Sequence, residues 1–325
     1  MNILCYCESN NKTGFGHFSR IKILITLIKK KYPKAKLLIF SKNKKEAKEF
    51  FKTKIVYSKN IFDYISKKKK LLDLVVLDPP YYEGKNDKIL NQRLKDIYLI
   101  EDRKFRILKL TDETKPTAHY CDYLINDFPL STAFIKKYRL TNNKMKLFLG
   151  IYAFLYPSML LNKFLHKNKK YDLLIAFGGN DPNNLGMKFF ETIKNNRQKK
   201  IFILNKNTYK KLIKYQDKYN CIKPITDQKN FLKLLSCSKM YLSTPSNIMF
   251  EAFALNMSGV VIPTQNRQNV MGRSFQKMKI VKNLNLFKNL KNNVLEKNLR
   301  IKTTPHKRFN LYKAIDMQNK IIKSL

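Results

Sequence analysis

The chain has 325 residues, 44% of them hydrophobic, which is enough for two domains of ordinary size, each with its own core. Its 66 basic residues against 23 acidic ones give a formal charge of +43, which reflects compositional bias toward Lys or attraction to an anionic partner. The recognition-helix, zinc and clustered stacking-aromatic patterns of a nucleic-acid binder are missing; the five cysteines form no disulfide framework, and the charge-free run Leu147–Asn162, cut by Gly150 and Pro157, falls short of the ~20 residues of a membrane span.

Asn2–Cys7 reads as a strand, and a glycine motif follows too soon for a secretory signal. Cys5 and Cys7 share one side of that strand, which fits core packing better than a metal pair. His17–Lys30 is a helix, with Ile21, Leu24, Ile25 and Ile28 on one face. Strands follow at Lys36–Phe40, Ile55–Tyr57, Leu72–Leu77, Ile97–Ile100 and Asp122–Ile125, with helices at Lys44–Lys52, Ile61–Lys67 and Asn86–Leu94. Phe148–Lys170 breaks the rhythm and reads as a domain connection. The pattern then restarts, with strands at Asp172–Phe177, Lys200–Leu204, Met240–Ser243 and Gly259–Ile262. Helices are expected at Asn184–Asn195, Tyr209–Tyr219, Lys229–Leu235, Asn247–Leu255 and in the tail Lys307–Leu325. Such alternation implies two mostly parallel sheets covered by helices on both faces. Ligands of such sheets bind outside the carboxyl ends of the strands, and two facing sheets would form one cleft.

Four unusual loops follow predicted strands. In Gly14-Phe15-Gly16-His17-Phe18-Ser19-Arg20 the glycines permit a tight turn, and the positive helix end suits phosphate or a negatively charged transition state. A dinucleotide fingerprint needs an acid after the second strand, where Ser41 stands, so NAD is disfavoured. The helix dipole favours a neutral His17 able to accept a proton, against the alternative of a merely structural histidine. Phe177-Gly178-Gly179-Asn180-Asp181-Pro182-Asn183 is a glycine turn with Asp181 or Asn183 as a helix cap. Ser243-Thr244-Pro245-Ser246-Asn247 opens a helix bearing Glu251; Ser246 and free N–H groups there suit a diphosphate, and Glu251 suits ribose hydroxyls or simply the helix dipole. Pro263–Asn269 is a polar loop in which Arg267 could meet phosphate or a sugar substituent, or serve as a plain surface arginine.

In this order the loops resemble the glycosyltransferase-B (GT-B) superfamily, and within it the UDP-sugar hydrolases of pseudaminic acid biosynthesis and their spore-coat polysaccharide relatives. Gly14, Gly16, His17 and Arg20 match the family's Gly-x-Gly-His-x-x-Arg loop, and Asp78-Pro79-Pro80-Tyr81 is similar to its Asp-His-Tyr strand end. Gly178, Gly179, Asp181, Asn184 and Leu185 match its Gly-Gly-x-Asp-x-x-Asn-Leu turn. Gly150-Ile151-Tyr152-Ala153-Phe154 is similar to its hinge, and Ser246 and Glu251 match its serine loop and glutamate. The chain departs from the family at Arg267-Gln268, where the family has Asn-Gln, at Tyr156, where an Arg follows the hinge, and at Pro245 in a loop usually rich in Gly and Ser.

The resemblance implies an α/β protein of the GT-B class, two Rossmann-like doubly wound domains facing across a cleft. The expected boundaries are 1–150 for the sugar or acceptor side, 151–167 for a linker, 168–306 for the UDP side and 307–325 for a C-terminal helix. It implies hydrolysis of a UDP-linked acetamido sugar in nonulosonic acid or surface polysaccharide biosynthesis, with His17 as general base. Gly14, Gly16, Arg20, Asp78, Tyr81, Tyr152, Arg267 and Gln268 would contact the sugar. Gly178, Gly179, Asn180, Ser243, Ser246, Asn247 and Glu251 would contact UDP, without metal or cofactor. The rival expectation is an inverting glycosyltransferase using the same His17 on an acceptor hydroxyl. A cytoplasmic protein is expected, with loose contact with an anionic membrane as the alternative.

Overall fold

The computed structural model describes residues 1–9, 16–53, 55–56, 60–79, 85–113, 119–128, 132–141, 143–165, 167–178, 181, 183–225, 227–289 and 309–325. The chain divides into two compact units, Met1–Leu155 with Tyr312–Leu325, and Tyr156–Leu311.

The first unit runs β1 (Asn2–Cys7), α1 (Gly16–Lys31), β2 (Lys36–Phe40), α2 (Lys44–Phe51), α3 (Ile61–Lys68), β3 (Leu74–Asp78), α4 (Lys85–Tyr98), β4 (Arg106–Thr111), β5 (Tyr123–Asn126), α5 (Thr132–Thr141) and β6 (Lys146–Leu149). Its six strands lie in the order β2-β1-β3-β4-β5-β6, all parallel. Successive side chains of a strand point to opposite faces, so a sheet covered on both sides needs apolar residues at nearly every position. Ile3, Cys5 and Cys7 join one core with Phe18, Ile21, Leu24 and Ile28 of α1; Leu4 and Tyr6 join the other with Ile61 and Ile65 of α3. The chain steps from β1 to β2 on one side and then returns to place β3 on the other. This reversal opens a crevice at the carboxyl ends of β1 and β3, the topological switch point of such sheets.

The second unit runs α6 (Ser158–Asn162), β7 (Tyr171–Ala176), α7 (Leu185–Ile193), β8 (Lys200–Leu204), α8 (Lys206–Leu212), β9 (Asn220–Pro224), α9 (Gln228–Ser236), β10 (Ser238–Ser243), α10 (Asn247–Ala254), β11 (Ser258–Val261), α11 (Asn266–Lys277) and β12 (Lys282–Asn283). Its six parallel strands are ordered β12-β11-β10-β7-β8-β9, which sets the reversal between β7 and β10. The last helix, α12 (Leu311–Ser324), returns to the first unit. Its Ile321 and Ile322 enter the core behind α1, Tyr123 donates its hydroxyl hydrogen to the Ser324 carbonyl, and Lys31 Nζ reaches the Ile322 carbonyl at 3.2 Å.

Several elements differ from the sequence reading. Ile97–Ile100 is not a strand: Ile97 and Tyr98 close α4, with Leu94 and Ile97 buried one turn apart and Leu99 left 61% exposed. β4, β6, β9 and β12 were not expected; β4 hides because Lys109 interrupts its apolar pattern, although that lysine is buried. Of Ile55–Tyr57 only Ile55 bridges the sheet, at Ile39, and Tyr57 lies outside the described residues. Residues Asn266–Asn269 belong to α11, not to a loop; Met271 and Phe275 form its buried stripe behind a polar first turn. Phe148–Lys170 carries the end of β6, a 3-10 turn at Ile151–Ala153 and α6, and the two units divide inside it, after Leu155. Among the described residues no helix is long and apolar enough to cross a membrane.

Candidate active site

Asp78 ends β3, beside Cys7 of β1 in the ladder, so it stands at the first switch point. Gly16 opens α1, and its next residue, His17, points Nδ1 at Asp78 Oδ1, 2.9 Å away. Arg20, one turn further along the same helix face, donates to both oxygens of that carboxylate, from Nη2 to Oδ1 at 2.6 Å and from Nε to Oδ2 at 3.3 Å. Asp78 is fully buried and Arg20 nearly so, while the His17 side chain keeps 13% of its surface open. Nδ1 also lies 3.0 Å from Arg20 Nη2. Arg20 can only donate, so Nδ1 meets Asp78 as a donor or Arg20 as an acceptor; with the proton on Nδ1, bonded to the carboxylate, the Nε2 lone pair is left open.

Arg20 Nη1 is 3.5 Å from Asp127 Oδ2, just beyond β5, and Asp112 follows β4. Burial opposes the guanidinium charge, but the carboxylates of Asp78, Asp112 and Asp127 outweigh it and raise the Arg20 pKa. The carboxyl ends of β3, β4 and β5 thus place three acids around one buried arginine at the start of α1. Asp112 and Asp127 escaped the sequence reading. The signal that would have found them is an acid directly after an apolar strand; for Asp112 it was lost where β4 went unrecognised. Glu8, after β1, is also buried; it accepts the Tyr6 hydroxyl hydrogen and lies 3.4 Å from Lys42 Nζ.

In the second unit Gly178 follows β7 with φ +83°, a conformation that favours glycine. Asp181 accepts from the N–H groups of Leu185 at 2.8 Å and Gly186 at 2.6 Å, so this carboxylate takes up donors at the start of α7. The cap assigned to Asp181 or Asn183 therefore belongs to Asp181. A Cβ on Gly186 would meet the Leu204 Cδ2 methyl at 2.7 Å and Asp181 Oδ2 at 3.2 Å, so both side chains would have to shift to admit one. Ser243 ends β10 at the second switch point and donates to the Thr244 carbonyl at 3.0 Å. Ser246 precedes α10, and among the described residues its buried hydroxyl oxygen has no hydrogen-bond partner. Asn247 begins the helix; one turn on, Glu251 is buried and accepts from Gln228 Nε2 at 3.0 Å, and burial pushes its carboxyl up to about 7.

Arg267 and Gln268 sit in the first turn of α11. Gln268 Oε1 accepts from the Thr264 N–H at 2.8 Å and its hydroxyl at 3.0 Å, which turns the side chain back onto the preceding loop. Tyr152 lies half-buried in the 3-10 turn that follows Gly150. The structure therefore joins His17, Arg20 and Asp78 directly, with Gly16 alongside, and gathers Gly178, Ser243, Ser246, Asn247 and Glu251 around the β7–β10 reversal. Gly14, Tyr81, Gly179 and Asn180 lie outside the described residues. Among the described residues no group of three or more His, Cys, Asp or Glu is disposed to hold a metal ion.

No family model matches the chain. The chain is 25% identical, over 260 residues, to the UDP-2,4-diacetamido-2,4,6-trideoxy-beta-L-altropyranose hydrolase of Campylobacter jejuni, covering 78% of this chain and 89% of that one. Its fold is similar to MurG of Acinetobacter baumannii, with TM-score 0.61, 9% identity and coverage of 100% and 99% of the two chains. It is equally similar to the UDP-GlcNAc 2-epimerase of Neisseria meningitidis, with TM-score 0.61, 13% identity and the same coverage. Two six-stranded parallel Rossmann-like sheets in one chain, superimposable on these proteins, define the GT-B fold.

Proposed function

We propose that this protein is a UDP-sugar-processing enzyme that hydrolyses a UDP-linked acetamido sugar to UDP and free sugar, in nonulosonic acid or surface polysaccharide biosynthesis. The observation that carries the reading is the His17–Asp78 pair: a partly open imidazole at a helix start, its Nδ1 2.9 Å from a buried carboxylate. The 25% identical hydrolase, matched over 78% of this chain, supports the reaction class.

In this reading Nε2 of His17 takes a proton from a water molecule as its oxygen attacks the anomeric carbon, and the bond to UDP breaks with UDP leaving. Asp78 fixes the tautomer and offsets the charge of the imidazolium that forms. Arg20 holds Asp78 in place through two hydrogen bonds, and Asp127 supplies a second negative charge behind it. The nucleotide belongs to the second unit. There the unpartnered Ser246 hydroxyl and the start of α10 suit the diphosphate, and Glu251 suits the ribose hydroxyls. Gly16, Arg20, Tyr152 and Arg267 are the sugar-side candidates. UDP is a good leaving group, so the step draws on no metal.

A second reading has one observation in its favour. Arg267, on α11, replaces the family's asparagine, which suits an inverting transferase whose His17 deprotonates an acceptor hydroxyl. An acceptor in an anionic membrane would also suit the charge of +43. Incubation with UDP-acetamido sugars in H2(18)O, without acceptor, separates the two. The hydrolase releases UDP stoichiometrically and places 18O on the sugar anomeric carbon. Release that occurs only when an acceptor is added would overturn hydrolysis in favour of transfer.

A further inference from the structure

Behind the candidate active site the first unit holds a continuous chain of buried polar side chains that the proposed reaction does not use. Lys109 of β4 donates from Nζ to His119 Nδ1 at 2.9 Å. The opposite ring nitrogen, Nε2, therefore carries the proton and donates to Glu113 Oε1 at 2.7 Å. Tyr138 of α5 donates its hydroxyl hydrogen to the same Oε1 at 2.6 Å, and Asn126 of β5 donates from Nδ2 to the Tyr138 oxygen at 3.0 Å. Lys109, Glu113, His119, Asn126 and Tyr138 are each no more than 5% exposed. Burial, followed by the Lys109 charge, lowers the His119 pKa to about 4, so the ring is neutral and one positive charge faces one negative charge across it. Burying five such groups is costly unless each is bonded, and here the donors and acceptors interlock.

The chain ends at the two turns that carry Asp112 and Asp127. Asn126 Oδ1 accepts from the Phe128 N–H at 3.0 Å and so closes a turn around Asp127. Thr111 Oγ1 accepts from the Glu113 N–H at 3.3 Å and closes the matching turn around Asp112. Glu113 and Asn126 are thus at once members of the buried chain and the hinge points of the two acids that act on Arg20.

We propose that Lys109, His119, Glu113, Tyr138 and Asn126 form a positioning network that sets Asp112 and Asp127 against Arg20, and through Arg20 the orientation of Asp78 and His17. None of the five is a catalytic residue. The inference rests on the proposed role of His17 only for its kinetic consequence; the geometry of Arg20 is a separate readout.

The test is Tyr138→Phe, which keeps the ring and removes the hydroxyl shared by Glu113 and Asn126. Exchange of the Arg20 Nε–H with water, followed by 15N NMR, should quicken by about 10-fold, and kcat on the UDP-sugar should fall about 10- to 100-fold with KM held within about 2-fold. Ile107→Val thins the core of the same strand without touching the network. It should lower Tm and leave Arg20 exchange where it is. Unchanged exchange in a folded Tyr138→Phe protein would overturn the inference, even if no UDP-sugar is ever turned over. Quickened exchange without turnover would instead sink the proposed reaction and leave the network standing. Should Tyr138→Phe not fold, Thr111→Val, which loosens the Asp112 turn alone, is read by the same two criteria.

Discussion

In the proposed reaction His17 derives its chemistry from its neighbour Asp78, which accepts from Nδ1–H and so leaves the Nε2 lone pair to act as the base. Asp78→Asn keeps the shape but removes the negative charge and turns one acceptor oxygen into a donor, and should cut kcat by ~10³-fold with UDP affinity unchanged in calorimetry. His17→Ala should cut kcat by ~100-fold or more, again with UDP binding intact, and an active variant would refute the base assignment. This part of the site was legible because Gly16, His17 and Arg20 are contiguous and Asp78 ends a clear apolar strand. Asp112 and Asp127 were not, since their roles depend on which strands pair, and β4 contains a lysine where its pattern calls for an apolar residue. Buried Lys109 is tolerated there because His119 Nδ1 and Asn91 Oδ1 receive it, partners ten and eighteen residues away that no periodicity announces.

At the scale of elements, capping decides which helix ends remain open to a ligand. The start of α7 is occupied by the Asp181 carboxylate, whereas Ser246 before α10 makes no side-chain cap bond. The two loops look alike in sequence, each a short polar turn between strand and helix, yet among the described residues a carboxylate already caps the first and no side chain caps the second. Asp181→Ala leaves two N–H groups without acceptors and should destabilise the second unit by about 1–2 kcal/mol, read from the denaturant midpoint. It should change UDP affinity only slightly; a loss as large as that from Ser246→Ala would mean that the α7 turn contacts the nucleotide. The order of strands and helices was largely readable, since β1, β2 and β8 match their expected limits and most helices lie within a few residues. α11 was missed because Asn266, Arg267, Gln268 and Asn269 present a polar first turn, and its apolar stripe begins only at Met271.

For the molecule as a whole, two buried groups make the units respond to acid with opposite sign. His119 in the first unit has its pKa lowered from 6.5 to about 4. Between those values the unfolded chain takes up a proton that the folded one refuses, so the first unit weakens as pH falls, by roughly 3 kcal/mol. Glu251 in the second unit has its pKa raised from 4.5 to about 7. There the folded chain keeps a proton that the unfolded one loses, so the second unit weakens as pH rises through that window, by a similar amount. Hydrogen exchange resolved by unit should show protection falling in the first unit and rising in the second when pH is lowered from 7 to 4.5. Glu251→Gln should flatten the response of the second unit alone; a response that survives this substitution would rule out Glu251 as its source.

The return of α12 has a consequence for biogenesis. The second unit is contiguous in the chain, from Tyr156 to Leu311, but the first needs residues made on either side of it. During synthesis the β-sheet of the first unit emerges early and must wait, with the face that receives Ile321 and Ile322 uncovered, while the whole of the second unit is translated. At ~5–20 residues per second that interval lasts roughly 10–30 s. The unit that is begun first on the ribosome is thus the one completed last, its apolar flank bare throughout the interval.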